Sequence, residues 1–271
     1  MTTLNLAHPN SGDIKVALGI FPDGEPTVKI ESDLSNFQKD IVTIMTRITS
    51  PKELFVLQLT ADILNRWGIR YNIYISYLMS QRMDRVMSFD RPYSLKVIAD
   101  TINSLNAVKV EIEEPHSDTS IYLINNSISK NQHILAPIEH ALIVFPDKGA
   151  CKRYMSLEHS AVICDKKRDI ETGEVLGLEV TNANLLNKDD YESIVIVDDL
   201  VDGGATLLAV RTKIKELISK KVPINVSVFH AVNPKGLIRL NEVFDNVYIS
   251  NSYSDWELFA ENPKFHIKRI I

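Results

Sequence analysis

The sequence predicts an α/β protein of two domains, each a mainly parallel sheet flanked by helices. Three observations carry this. Short β-branched or apolar runs recur at Tyr71–Tyr77, Ala141–Phe145, Ile194–Val197 and Ile224–Val232, and each exits into a polar loop. Stretches with apolar residues at helical spacing lie between the runs, as with Leu95, Ile98, Ile102 and Leu105. The length, 271 residues, suits two domains of moderate size. A boundary is expected between residues 127 and 140, with the domains at 1–135 and 136–271.

The elements follow in order. Residues 1–13 are polar and read as partly loop, and Ile14–Ile20 reads as a strand. Phe21-Pro22-Asp23-Gly24-Glu25 has turn chemistry and precedes a strand at Thr27–Ile30. After a strand at Asp40–Thr46, Ser50-Pro51-Lys52-Glu53 opens a helix as N-cap, N1 proline and early acid, and Gly68 closes it. The strand Tyr71–Tyr77 exits into a basic segment, Ser80-Gln81-Arg82-Met83-Asp84-Arg85. A helix is expected over Ser94–Leu105, then a strand Val108–Ile112 ending at Glu113-Glu114-Pro115-His116. Ser120–Ile124 reads as a short strand and Ser127–Gln132 as loop. In the second half Ala141–Phe145 ends in Pro146-Asp147-Lys148-Gly149-Ala150, a strand and a glycine turn. Ser160–Cys164 is followed by a polar, partly basic loop at Asp165–Glu174, for which a solvated hairpin is the plain alternative. A helix at Pro234–Phe244, a strand at Val247–Ile249 and a basic-apolar tail complete the chain.

Composition narrows the function. Hydrophobic residues at 45% and charged ones at 24% are ordinary for a soluble globular protein. A net charge of −5 argues against a protein that coats nucleic acid. No apolar run is long enough to span a bilayer, and the N-terminus lacks the basic and apolar segments of a secretory signal. Cys151 and Cys164 have no metal-type spacing, so a cytoplasmic setting with free thiols is expected.

The chemistry concentrates at Glu192–Thr206 (ESIVIVDDLVDGGAT). A buried strand at Ile194–Val197 leads through Asp198 and Asp199 to Asp202-Gly203-Gly204-Ala205-Thr206, where a helix begins. Such a loop offers unpaired backbone N–H groups and the positive end of a helix dipole to a phosphate. Carboxylates at its mouth can bind ribose hydroxyls or help hold Mg²⁺. Arg82 and Arg85 could clamp a polyphosphate or simply pair with Asp84 at the surface.

The loop resembles the phosphoribosyl diphosphate (PRPP) loop of type I phosphoribosyltransferases and ribose-phosphate diphosphokinases. FPDGE, QRMDR, EPHS, FPDKGA, DKKR and VDDLVDGGAT occur in the order, and at roughly the spacings, of the diphosphokinases. The resemblance covers nearly the whole chain and implies two phosphoribosyltransferase-like domains. It also implies transfer of the β,γ-diphosphate of ATP to the anomeric hydroxyl of ribose 5-phosphate, with Mg²⁺. By the resemblance Phe21, Asp23 and Glu25 match the family's FSDGE loop, which reaches the ATP of a neighbouring subunit. Arg82, Asp84 and Arg85 match its RQDR segment at ATP. His116 and Asp147 match residues of the metal–ATP site. Lys166 and Arg168 match the basic residues of the flexible catalytic loop. Asp198, Asp199, Asp202, Gly203, Gly204, Ala205 and Thr206 match the ribose-phosphate loop. Self-association to a dimer or hexamer is implied in the same way.

The chain departs from the family pattern in four places. It is shorter than usual, and lacks the Asn-rich opening turn. Met83 replaces a Gln and Pro115 a Leu. Gly203 stands where the family has a Thr whose hydroxyl would grip the 5-phosphate. The space so opened suits an acceptor with a larger phosphate, and relatives in some phages are understood to act on ADP-ribose in rebuilding NAD. The acceptor therefore stays open between ribose 5-phosphate and ADP-ribose. A PRPP-consuming phosphoribosyltransferase and a non-catalytic homologue are the rival readings. The first gives no role to Phe21–Glu25 or Arg82, and the second none to the retained Lys166, Arg168, His116 and Asp147.

Overall fold

A computed structural model describes residues 1–131, 134–154, 161–168 and 175–271, excepting the side chains of residues 166–168, 175 and 176. The chain divides into two units, Met1–Asn131 with Ile271, and Gln132–Ile270. Both are α/β.

The first unit is built on a parallel sheet of β1 (Thr2–Asn5), β4 (Ile41–Ile48), β5 (Arg70–Leu78), β6 (Val110–Glu113) and β7 (Ser127–Lys130), in that spatial order. β2 (Val16–Ile20) and β3 (Pro26–Ile30) form a separate antiparallel hairpin. Helices α1 (Pro51–Arg66), α2 (Ser94–Asn103) and α3 (Thr119–Leu123) complete the unit. The start of α1 is built as its sequence dictates. Ser50 caps it by accepting from the Lys52 N–H, and Pro51 occupies a position that needs no donor.

The second unit has a seven-stranded sheet: β10 (Val175–Thr181), β9 (Ala161–Arg168), β8 (Ala141–Phe145), β11 (Ser193–Val201), β12 (Ile224–Ala231), β13 (Val247–Ser250) and β14 (Phe265–Lys268), in that order. All neighbours are parallel except β9 and β10. Helices α4 (Lys148–Tyr154), α5 (Ala205–Leu217) and α6 (Pro234–Val243) follow β8, β11 and β12. The sheet is buried on both faces. Ile194 and Ile196 pack into the core that holds Leu207, Val210, Leu237 and Leu240, while Val195 and Val197 pack into the one that holds Ala150, Cys151 and Tyr154.

Five local expectations are corrected. β1 lies in the stretch read as partly loop with no strand assigned, drawn in by parallel pairing with β4 and the complete burial of Leu4. Ser127–Lys130 is a strand, because β6 supplies its ladder. Thr119–Leu123 is helix, not strand. Five residues are too few for a periodicity to decide, and the buried Ile124 follows the helix in an extended conformation. Lys148-Gly149-Ala150 opens α4 rather than a turn. β9 continues through Arg168, antiparallel to β10, so a hairpin arm stands where the loop was expected to begin.

Candidate active site

In the second unit the site is set by strand ends. β8 and β11 pair in parallel, so Asp147 and the Asp198–Asp199 pair leave the same edge of the sheet. That edge, at the carboxyl ends of the strands, is where open α/β sheets take ligands. β11 is longer than its apolar run suggests. Pairing with β12 carries it to Val201, so Asp198 and Asp199 are strand residues with side chains on opposite faces.

The two aspartates therefore differ. Asp199 is buried on the α4 face, 2.6 Å from Nη1 of Arg153. Burial, the largest influence, acts to discharge that arginine, but the charge and hydrogen bond of Asp199, with the smaller influences of Tyr154 and Asp198, together hold its pKa above the ordinary value. Asp198 is half-buried, and its Oδ1 accepts from the Asp199 N–H at 2.9 Å. Its carboxyl is pushed well above the usual carboxylate range, by desolvation first, then by the charge of Asp199 and more weakly by that of Asp147. Asp147 has a structural duty as well. Its Oδ1 accepts from the Ala150 N–H at 2.8 Å and so caps the start of α4.

The loop after β11 is shaped by two glycines and by α6. Gly204 sits at φ 76°, a left-handed conformation suited to glycine, and is the N-cap of α5 with no side-chain capping bond. Gly204 itself thus brings no capping side chain to the first turn of α5, a helix end whose N–H groups and dipole suit an anion. Asn233 Nδ2 donates to Asp202 Oδ1 at 3.0 Å, and its own Oδ1 caps α6 by accepting from the Lys235 N–H. Gly236 touches the loop directly, for a Cβ there would lie 1.8 Å from the Asp202 carbonyl oxygen. Arg239 Nη1 donates to the Gly203 carbonyl at 3.0 Å. A Cβ on Gly203 would meet only that guanidinium, at 3.9 Å.

Lys166 and Arg168 lie on the β9 backbone, opposite Leu178 and Val175. Their side chains, and residues 169–174 of the expected catalytic loop, fall outside the described residues.

In the first unit Phe21, Asp23 and Glu25 form the tip of the β2–β3 hairpin. The Phe21 N–H donates to the Glu25 carbonyl, the Gly24 N–H to the Phe21 carbonyl, and the Glu25 N–H to Asp23 Oδ1. Plain turn chemistry makes the tip, and it leaves Ile20 and Phe21 more than half exposed. Arg82, Asp84 and Arg85 follow β5, with Nε of the exposed Arg85 3.3 Å from Oδ1 of the largely buried Asp84. His116 follows β6. Gln81, fully buried, joins these two strand exits by accepting the His116 N–H at 3.0 Å. The structure therefore brings the basic segment and His116 together. Among the described residues no three His, Cys, Asp or Glu side chains form a metal-holding group. The acids at Asp147 and Asp198 still suit Mg²⁺, which keeps several waters and takes one or two carboxylates beside substrate phosphates.

Sequence reasoning missed Gln81, Arg153, Asn233, Gly236 and Arg239. Asn233-Pro234 was legible as a helix start. Nothing local marks the other four, whose partners lie more than 30 residues away.

No family model matches the chain. Among curated proteins it is similar to the ribose-phosphate pyrophosphokinases of Sulfurisphaera tokodaii (25% identical, over 79% of this chain and 76% of that one) and Saccharolobus solfataricus (28%, over 72% and 69%). That of Mycoplasma pneumoniae is 27% identical over 94% of this chain and 82% of its own. Among solved structures, phosphoribosylpyrophosphate synthetase from Mycobacterium smegmatis has the same fold, with a TM-score of 0.77 over 100% of this chain and 95% of that one, at 15% identity. With two parallel-sheet α/β units, the chain is similar along most of its length to ribose-phosphate pyrophosphokinases and shares the fold of a phosphoribosylpyrophosphate synthetase.

Proposed function

We propose that the chain transfers the β,γ-diphosphate of ATP to the anomeric C1 hydroxyl of ribose 5-phosphate, giving PRPP and AMP. One observation carries the reading: at the edge of the sheet, a helix N-terminus with glycine at its cap stands beside two aspartates whose environments differ. The helix end suits the 5-phosphate, and Asp198 suits the ribose hydroxyls. Asp199, neutralised by Arg153, holds that edge in place. Arg82, Asp84, Arg85 and His116, with Phe21, Asp23 and Glu25, are proposed for ATP. The family names of the relatives support the same reaction.

In the reaction the C1 oxygen bonds to the β-phosphorus as the bond from that phosphorus to the oxygen bridging to the α-phosphorus breaks. That bridging oxygen leaves with AMP, and the hydroxyl proton is lost. Charge builds on the phosphoryl oxygens, and Lys166 and Arg168 are proposed to neutralise it. Mg²⁺, held near His116 or Asp147, would supply further charge neutralisation. Self-association to a dimer or hexamer, with the exposed hairpin tip completing a neighbour's site, belongs to the same proposal. So does a cytoplasmic setting. Among the described residues no helix is long and apolar enough to cross a membrane.

ADP-ribose is the second acceptor, favoured by the room at Gly203. Incubation with ATP, Mg²⁺ and each acceptor, with products identified by mass, decides between them. AMP formed together with PRPP is expected from ribose 5-phosphate. AMP formed only with ADP-ribose would move the reading to that acceptor. No acceptor-dependent AMP would point to a non-catalytic homologue, and consumption of PRPP with a base to a phosphoribosyltransferase.

A further inference from the structure

Gln81 turns inward from the basic segment that follows β5. Only 1% of it is exposed, whereas its neighbour Arg82 is exposed. The Met83 N–H donates to the Ser80 carbonyl at 2.8 Å, so Gln81 and Arg82 are the central residues of that turn. Ser80, which opens the turn, sits at φ 62°, and Glu114, two residues before His116, at φ 39°. Both strand exits thus hold a non-glycine residue in left-handed backbone, which is unfavourable where a Cβ is present. The Gln81 amide oxygen ties the two exits by accepting the His116 N–H at 3.0 Å across a separation of 35 residues. Its amide nitrogen is buried and has no hydrogen-bond partner among the described residues. A buried amide with unpaired donors costs free energy that an apolar side chain of the same length would not. Core packing therefore does not account for a glutamine here. The one polar contact it makes does, because that contact fixes the backbone from which the imidazole of His116 projects.

We propose that Gln81 is a positioning residue for ATP, acting through His116. It holds the His116 backbone against the turn that carries Arg82, so that the two strand exits present the histidine and the arginine in one fixed relation. This rests on the proposed placing of ATP at Arg82, Asp84, Arg85 and His116. Nucleotide binding can lose at most the free energy with which this bond favours the bound placement of His116. That is the worth of one hydrogen bond, about 3- to 10-fold in affinity.

The test uses the whole chain as wild type, Gln81→Met, Gln81→Leu, His116→Ala, and Gln81→Met combined with His116→Ala. Methionine and leucine fill the buried position without supplying an acceptor. Thermal unfolding first identifies the variants that fold; if neither single Gln81 variant does, Gln81 is a core residue and the inference is overturned. In a folded variant the KM for ATP should rise about 3- to 10-fold, while the KM for ribose 5-phosphate and kcat stay within about twofold. In the His116→Ala background, Gln81→Met should change the KM for ATP by less than about twofold, because its route to the nucleotide is already gone. The Kd from calorimetric titration with Mg²⁺-ATP takes the place of KM where turnover is too slow to measure. A merely structural glutamine would lower the unfolding temperature and act alike in both backgrounds. An unchanged KM for ATP, a like rise for both substrates, or an effect of Gln81→Met that persists in full alongside His116→Ala overturns the inference and leaves the proposed reaction standing. If wild type forms no PRPP at all, the proposed reaction fails instead, and the titration with Mg²⁺-ATP decides Gln81 by itself. Binding weakened by Gln81→Met in the wild-type background alone supports it, and equal binding, or none in wild type, overturns it.

Discussion

Replacing Gly236 with alanine tests how α6 holds the loop. The mutant Cβ would sit 1.8 Å from the Asp202 carbonyl oxygen and 3.5 Å from Val201 Cγ2. Ordinary contact begins near 3.4 Å, so loop and helix must part by about 1.6 Å. Two effects of opposite sign compete. Gly236 lies within α6, and alanine in a helix interior is favoured over glycine by about 1 kcal/mol. Overpacking costs about 1–3 kcal/mol, and here the obstacle is backbone, which cannot rotate away. With the overlap this deep the clash should win, for a net loss of up to about 2 kcal/mol. The displacement also moves Asp202 and Gly203, and a shift of about 1 Å at a positioned group can cost around 100-fold in rate. Urea unfolding and acceptor kinetics, run beside Gly203→Ala, give the measurement. At Gly203 the new Cβ meets only Arg239 Nη1 at 3.9 Å, so that variant should stay within about 0.5 kcal/mol of wild type. If Gly236→Ala is as stable as wild type, or more so, and keeps its acceptor KM, the close seating of α6 on the loop is wrong.

Three further outcomes follow from the site. Asp198→Asn should abolish turnover yet raise Tm at pH 7–8. The folded Asp198 holds its proton to higher pH than the unfolded chain, so its contribution is most favourable below the ordinary carboxylate pKa and is lost as pH rises through the raised folded value. A wild-type Tm that does not fall relative to Asp198→Asn as pH is raised from about 4, the ordinary carboxylate pKa, to 8 would refute this. Arg153→Leu should cost about 3–5 kcal/mol in urea unfolding, because it strands Asp199 as a buried charge, and Arg153→Leu with Asp199→Asn should recover most of that. A single-variant loss under about 1 kcal/mol would place the ion pair in solvent. Burial pushes the Cys164 thiol up to about 11, and also raises that of Cys151. Both should resist iodoacetamide at pH 8 in the native protein and react in urea, and rapid native labelling would contradict their burial.

Much of the fold was legible in the sequence because its signals are local. Strand and helix alternation, the Ser50-Pro51 helix start and the Gly203-Gly204 turn each depend on residues within a few positions of one another. The short strands β1 and β7 were not legible, since their neighbours' backbone rather than their own composition makes them strands. α3 was misread because five residues hold no periodicity.

By itself, then, the sequence determined two α/β units, a phosphate-suited loop at a helix N-terminus, and the residues proposed for ATP, metal and acceptor. The tertiary structure decided what those residues do to one another. Extension of β11 to Val201 turned two adjacent aspartates to opposite faces, one neutralised by Arg153 and the other raised in pKa. The seating of α6 brought Asn233, Gly236 and Arg239 onto the loop across roughly 30 residues of chain. Such pairings depend on which strands lie side by side, and a periodicity of two or 3.6 residues holds no record of that.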